Sequence, residues 1–197
     1  MTRKSRGSSS DHARAYRQYG HDIADLFASK LGLRHYNNDT KAKKDVIDPS
    51  GDAHSVKSGQ KKWQLFLYKR NRFLTDDGFL ALDGIGGLLV HCIDCFPQTY
   101  EEYRDNPSPA KERLKTPMRE LKDRFQREAL LRAFLMKSIF NGGEVDYLTI
   151  HSNEKFHVFH KDDVVSVMGQ NLNVCNSKAR NENEFDDQKV IFQYNDA

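Results

Sequence analysis

Four side chains within one short stretch have the chemistry of a hydrolytic site. Asp45, Asp48, Ser55 and Lys57 fall inside KAKKDVIDPSGDAHSVKSGQKKWQLFLYKRNR, residues 41–72. The turn sequence Pro49-Ser50-Gly51-Asp52 predicts a hairpin between a strand over 43–48 and one over 53–58. A second turn over 59–62 leads into an aromatic, apolar strand over 63–69. Hairpin neighbours sit about 5 Å apart, so Asp45, Asp48, Ser55 and Lys57 come close together. Ser55 and Lys57 are two residues apart in a strand and share one sheet face. A carboxylate there suits Mg²⁺, which prefers oxygen ligands and keeps several waters. The ion polarises a phosphoryl oxygen and acidifies a bound water. A lysine beside it orients that water and offsets charge in the transition state. The reaction that fits this set is phosphodiester hydrolysis.

Asp45, the hairpin turn and Ser55-Val56-Lys57 resemble the PD-(D/E)xK signature of restriction endonucleases and RecB-type nucleases, in which an Asp is followed downstream by (D/E)-x-K. Lys57-Ser58-Gly59 resembles the K-(S/T)-G that often follows, and Gln64-Leu65-Phe66-Leu67-Tyr68 resembles the Q-x-x-x-Y motif of the RecB-like branch. The resemblance is confined to residues 41–72 of 197. It implies a restriction-endonuclease-like α/β fold and Mg²⁺-dependent cleavage of double-stranded DNA. In its terms Asp45 binds the metal, helped by Asp48 or Asp52, and Lys57 positions the attacking water. Gln64 supports the phosphate or the lysine. The compact length is similar to that of a type II restriction endonuclease, a class that commonly works as a homodimer. One position departs from the pattern: Ser55 stands where the family has an acid. Ser55 is then a weak or water-mediated ligand, and Asp48, Asp52, or Asp22 and Asp25 on a preceding helix are the acids that could replace it. The same departure supports a second reading, a non-catalytic nucleic-acid-binding protein that retains the fold. A third is an interaction protein with no nucleic-acid partner.

The charge distribution fits a phosphate partner. The whole chain carries only +3, but residues 34–72 hold 10 Lys/Arg against 4 Asp. Lys43, Lys44, Lys61, Lys62, Arg70 and Arg72 are the predicted DNA contacts of this region. Farther along, Asn176, Ser177, Lys178 and Arg180 lie in a polar loop over 176–184 whose side-chain types read base edges or grip phosphates.

The surrounding elements must build a support for this hairpin. Residues 1–12 are basic and Ser/Gly-rich and read as a mobile arm, with a single domain over 13–197 whose recognition or dimerisation region starts near 141. Tyr16, Tyr19, Ile23, Leu26, Phe27 and Leu31 predict a helix over 13–31. The apolar stretch 79–96, interrupted by Gly84, Gly86 and Gly87, predicts a buried helix whose glycines permit close packing. Ser108-Pro109 and Thr116-Pro117 read as helix starts, with a break near Thr116 and one long helix over 117–140. That helix carries Arg119, Lys122, Arg124, Arg127 and Arg132 on a face that meets solvent or DNA, solvent being the preferred reading. Strands follow over 144–150, 155–159 and 190–194, with a short helix over 161–168. The expected whole is a mixed central sheet beginning with 43–69 and flanked by helices. Cys92, Cys95 and Cys175 make an odd, sparse set; with no signal-peptide pattern they fit a reducing cytoplasm, and Cys92-Ile93-Asp94-Cys95 reads as buried helical thiols. No apolar run is long enough to span a membrane.

Overall fold

Asp48 shapes the first hairpin. Its Oδ1 accepts the backbone N–H groups of Ser50 at 2.8 Å and Asp52 at 3.0 Å. Gly51, at φ 93°, closes the turn in a conformation that favours glycine. The turn joins β1 (Val46–Ile47) to β2 (Ala53–Ser58), paired antiparallel with Val46 opposite His54. In this computed structural model residues 10–33, 43–58, 62–171 and 189–195 are described, the side chains of 10–13, 62–67, 171 and 189–195 excepted. They fall into two compact units. One comprises the chain up to Trp63, Gly143–Lys161 and the last three residues; the other comprises Gln64–Gly142 and Asp162–Tyr194.

The first unit is built on a small mixed sheet in the order β1-β2-β4-β5. Strand β4 (Tyr147–Ser152) runs parallel to β2, with His54 opposite Tyr147 and Lys57 opposite Ile150. Strand β5 (Lys155–His160) returns antiparallel through a two-residue turn, Asn153 and Glu154, both at positive φ as a tight hairpin demands. Helix α1 (Ser10–Lys30) packs Ile23, Ala24, Phe27 and Ala28 against Val46 and Val56. The buried face is therefore turned toward the alanines. Tyr16, Tyr19 and Leu26, expected in the packed stripe, are exposed, since the face that packs on Val46 and Val56 is that of Ile23, Ala24, Phe27 and Ala28.

Strand β3 (Lys62–Lys69) does not extend this sheet. It pairs with β6 (Lys189–Asn195) in a separate two-stranded sheet, so the central sheet does not include 63–69. The chain is thus α/β, with its mixed four-stranded sheet completed by β4 and β5, which arrive late in the sequence.

The second unit is mostly helical. Short helices α2 (Arg70–Thr75) and α3 (Asp77–Leu80) place Phe73 and Phe79 edge-on to each other and to Tyr68. Helix α4 (Ile85–Asp94) follows after a turn, so the predicted buried helix over 79–96 is two helices. A Cβ on Gly86 would lie 3.0 Å from Phe73 O and 3.2 Å from Phe79 O, the close approach for which a small residue is needed. Cys92 and Cys95 are buried beside Leu114, and burial pushes the Cys95 thiol up. After α5 (Tyr100–Asp105), helix α6 (Ser108–Arg124) runs through Pro117 without a break. Leu114, Pro117 and Leu121 line its buried face, and that packing outweighs the missing amide bond. The break falls instead at 125–127, where no glycine or proline marks it, and α7 (Glu128–Phe140) continues. There Phe125 packs on Phe134, with ring centroids 4.8 Å apart. On the predicted basic face Arg124 and Arg127 both bond to Asp83. Helix α8 (Lys161–Asn171) leads out of β5. Among the described residues no helix is long and apolar enough to cross a membrane.

Candidate active site

Three of the predicted residues converge at the paired ends of β1 and β2. Asp45 precedes β1, and its backbone N–H donates to His54 O at 2.9 Å. That pairing delivers its carboxylate to β2. Oδ2 accepts the Val56 N–H at 2.7 Å and the Ser55 hydroxyl at 3.4 Å, and lies 3.5 Å from Lys57 Nζ. Lys57 Nζ donates to Ser55 Oγ at 2.7 Å and to Val56 O at 3.3 Å. Ser55 is only 1% exposed, whereas the side chains of Asp45 and Lys57 are 23% and 22% exposed. The set is a carboxylate and an ammonium at an accessible rim, joined by a buried hydroxyl beneath them.

Asp48 and Asp52 do not join that set. One oxygen of Asp48 is taken by its own turn. The other stands 3.5 Å from Nε2 of His54. Burial would raise the Asp48 carboxyl, but the amides of Asp52 and Ser50 and the His54 ring outweigh it and hold the group below its ordinary value. Asp52 contributes its backbone N–H and C=O to the turn. Asp22 and Asp25 lie on the exposed side of α1, and Asp22 accepts from Gln18 at 2.8 Å. Among the described residues no group of three or more His, Cys, Asp or Glu side chains is arranged to hold a metal ion.

Two groups stand beside the site with no local signal in the sequence. His54 is buried, stacked on Tyr147 at 4.9 Å and edge-on to Phe27 at 5.0 Å. Its Nδ1 shares a hydrogen bond with Thr149 Oγ1 at 2.9 Å, while Nε2 has no hydrogen-bond partner. Burial lowers its pKa and Asp48 restores only part of the loss, so the ring is neutral near pH 7. Asp146 clamps the start of β2. Its Oδ2 accepts the Ala53 N–H at 2.9 Å, and its own N–H donates to Ala53 O at 2.8 Å. Lys161 Nζ completes the clamp, bonding Asp146 Oδ1 and Gly143 O, each at 2.8 Å. Both His54 and Asp146 find their partners only across a sequence separation that no periodicity reports.

The predicted DNA contacts divide. Lys44 pairs with Glu144 at 3.3 Å, and Lys43 holds a positive φ of 62° just ahead of Asp45. Arg70 and Arg72 belong to the other unit and are engaged there. Arg70 forms two 2.8 Å bonds to Asp94. Arg72 lies 4.1 Å over the Tyr68 ring and bonds Asn141 at 3.1 Å and Asp76 at 3.4 Å. The backbones of Lys62 and Gln64 run in β3, and their side chains lie outside the described residues, as do Lys61, Asn176, Ser177, Lys178 and Arg180. The chain matches no protein-family model, no curated protein and no solved structure.

Proposed function

We propose that this protein is a Mg²⁺-dependent endonuclease that hydrolyses phosphodiester bonds in double-stranded DNA, of the type II restriction class. The observation that carries the reading is the convergence of Asp45, Ser55 and Lys57 within 3.5 Å on adjacent strands. The donor set fits a magnesium ion that is completed by substrate. Val56, Ser55 and Lys57 all meet Asp45 at Oδ2, which leaves Oδ1 to serve the ion. One carboxylate, waters and a substrate phosphate are a normal complement for Mg²⁺. When bound, the ion supplies an acidified water and a polarised phosphoryl oxygen.

The residues themselves do the rest. The Val56 amide fixes the Asp45 carboxylate, so its other oxygen is aimed without a loss of side-chain entropy on binding. Ser55 Oγ holds the Lys57 ammonium beside that carboxylate. From there Lys57 orients the attacking water and offsets the charge that grows on the phosphoryl oxygens. Dimerisation would bring a second copy of the site to the opposite strand.

A non-catalytic DNA-binding role is the second reading. It is favoured by Ser55, which leaves one acid at the site. Nicking of supercoiled plasmid separates the two. The wild type should nick with Mg²⁺ and stop with EDTA, and both Asp45→Ala and Lys57→Ala should be inactive while still binding duplex. A folded wild type that binds duplex but never nicks it would establish the second reading instead.

A further inference from the structure

We propose that the outer edge of β5 is the dimer interface of this protein, pairing antiparallel with the same edge of a second copy so that four strands from each copy form one continuous sheet. Among the described residues the order β1-β2-β4-β5 leaves two edges. β1 is only two residues long, and so short an edge recruits no further strand. β5 has six residues, KFHVFH, in unbroken register with β4, with no proline and with lysine only at its start. Lys155, His157, Val158 and Phe159 are exposed, Val158 at 46% and Phe159 at 43%, so the middle of the strand is open on both faces. Proteins blunt an edge that must stay single with charge, proline or a bulge. This one carries apolar side chains instead.

The backbone fixes how such an edge pairs. The two-residue turn closes on Ser152 and Lys155 as a hydrogen-bonded pair, and such pairs recur at every second position. Lys161, whose N–H donates to Asp146 O at 2.9 Å, continues the series. Lys155, His157 and Phe159 therefore bond to β4, and Phe156 and Val158 aim their N–H and C=O groups at the open edge. With a two-fold axis at His157, Phe156 lies opposite Val158 of the second copy, and Val158 lies opposite its Phe156. Each donates to and accepts from the other, so every backbone group that these residues aim at the edge is satisfied. Phe156 with Val158 is an aromatic–β-branched pair, a stabilising cross-strand contact. Lys155 falls opposite Phe159, whose ring face attracts an ammonium, and Glu154 falls opposite His160, so no like charges meet. Sliding one copy by two residues loses this. One direction sets Lys155 against Lys161 and Glu154 against Asp162; the other sets Val158 against Glu154. Charge and hydrogen bonding thus select a second copy of this chain, in this register, as the occupant. Ser55 is opposite Leu148 and Leu148 is opposite Phe159, so these side chains share a face. The two-fold puts both sets of Ser55 and Lys57 on that face, about 24 Å apart at five strand spacings. The interface is independent of the hydrolytic reading, which concerns only what the paired sites do.

The test is sedimentation equilibrium of the full chain over a concentration series. The wild type should weigh twice the 22.8 kDa of one chain, and its melting temperature should rise with protein concentration. Val158→Lys should weigh as a monomer and melt independently of concentration, because it puts a charge in the middle of the apolar edge. Leu80→Lys, at an exposed leucine on α3, should dimerise as the wild type does. Cross-linking reads the register, on a Cys175→Ser background with oxidised glutathione as oxidant. His157→Cys places a thiol from each copy at the axis, where facing Cα atoms are about 4.5 Å apart, and should give a covalent dimer. Phe159→Cys sets the thiols about 14 Å apart along the strands and should not. A wild type that stays monomeric across the series overturns the proposal. So does a dimer untouched by Val158→Lys, or one that cross-links through Phe159→Cys and not through His157→Cys. A wild type that dimerises through β5 but never nicks plasmid overturns the hydrolytic reading and leaves the interface standing. A wild type that nicks plasmid but stays monomeric overturns the interface alone.

Discussion

The Lys57 ammonium is 2.7 Å from Ser55 Oγ, closer than to the Asp45 carboxylate at 3.5 Å. The residue that departs from the (D/E)-x-K pattern is therefore the nearest polar partner of the lysine. It is the group that holds the lysine. A hydroxyl does this without adding charge, so the site at β1 and β2 contains one anion and one cation rather than two anions and one cation.

Ser55→Asp should lower the Mg²⁺ concentration needed for half-maximal cleavage by about tenfold, since a second carboxylate neutralises more of the ion's charge. Ser55 is buried, so the new charge should also lower the melting temperature without metal, in part offset by Lys57 and recovered when Mg²⁺ is added. A Mg²⁺ titration of plasmid nicking, with melts run alongside, checks both effects. A folded variant that needs more Mg²⁺ than the wild type would show that position 55 is not the place of the absent acid.

Asp45→Asn keeps a carbonyl oxygen for the Val56 amide but removes the charge. Nicking should fall about a thousandfold or more, because the metal and the positioned lysine both depend on that charge. Duplex binding in EDTA should change little. Wild-type nicking by Asp45→Asn would rule the residue out as the ligand, and loss of nicking in Asp48→Asn alone would transfer the role to Asp48.

Stability should fall in acid through Asp48 and Asp146. Burial would raise the Asp146 carboxyl, but Lys161 and the Ala53 amide outweigh it and hold the group below its ordinary value, as the turn amides do for Asp48. A depressed carboxylate contributes stability that is fully present above the unfolded value of 3.8 and is lost as pH falls from there through the folded value. Urea unfolding at pH 7 and at successively lower pH should show this loss in the wild type and less of it in Asp146→Asn. At pH 7, Asp146→Ala should cost about 2 kcal/mol, the usual worth of a charged hydrogen bond left unmade. An acid limb unchanged in Asp146→Asn would mean that the clamp does not contribute to it.

Gly86→Ala should destabilise the helical unit by about 1–3 kcal/mol, because the methyl group would press on the carbonyl oxygens of Phe73 and Phe79 and backbone yields poorly. Gly87→Ala is the matched control, since a Cβ there meets nothing within 4 Å and alanine is the better helix former. Equal melting temperatures for the two variants would contradict the packing described for α4.

Local chain chemistry is enough to place the hairpin with Pro49–Asp52 at its turn, the pairing of Asp45 with Ser55 and Lys57, helices α1 and α8, and the small residue at position 86. Each depends on neighbours within a few residues, where turn chemistry, periodicity and alternation act directly. Whatever required distant chain came from the folded arrangement alone. Strands β2 and β4 pair in parallel across some ninety residues, Tyr147 opposite His54, and that pairing rather than the nearby β3 completes the sheet. Nothing in the aromatic run 63–69 announces that its partner is β6. By composition Asp48 is a candidate metal ligand; in the fold its Oδ1 accepts the turn amides of Ser50 and Asp52 and its Oδ2 stands 3.5 Å from His54 Nε2, because an acceptor goes to the donors the backbone places nearest. His54 and Asp146 carry no local mark for the same reason: burial and register are properties of elements brought together, and they turn a plain histidine and a plain aspartate into the supports of the site.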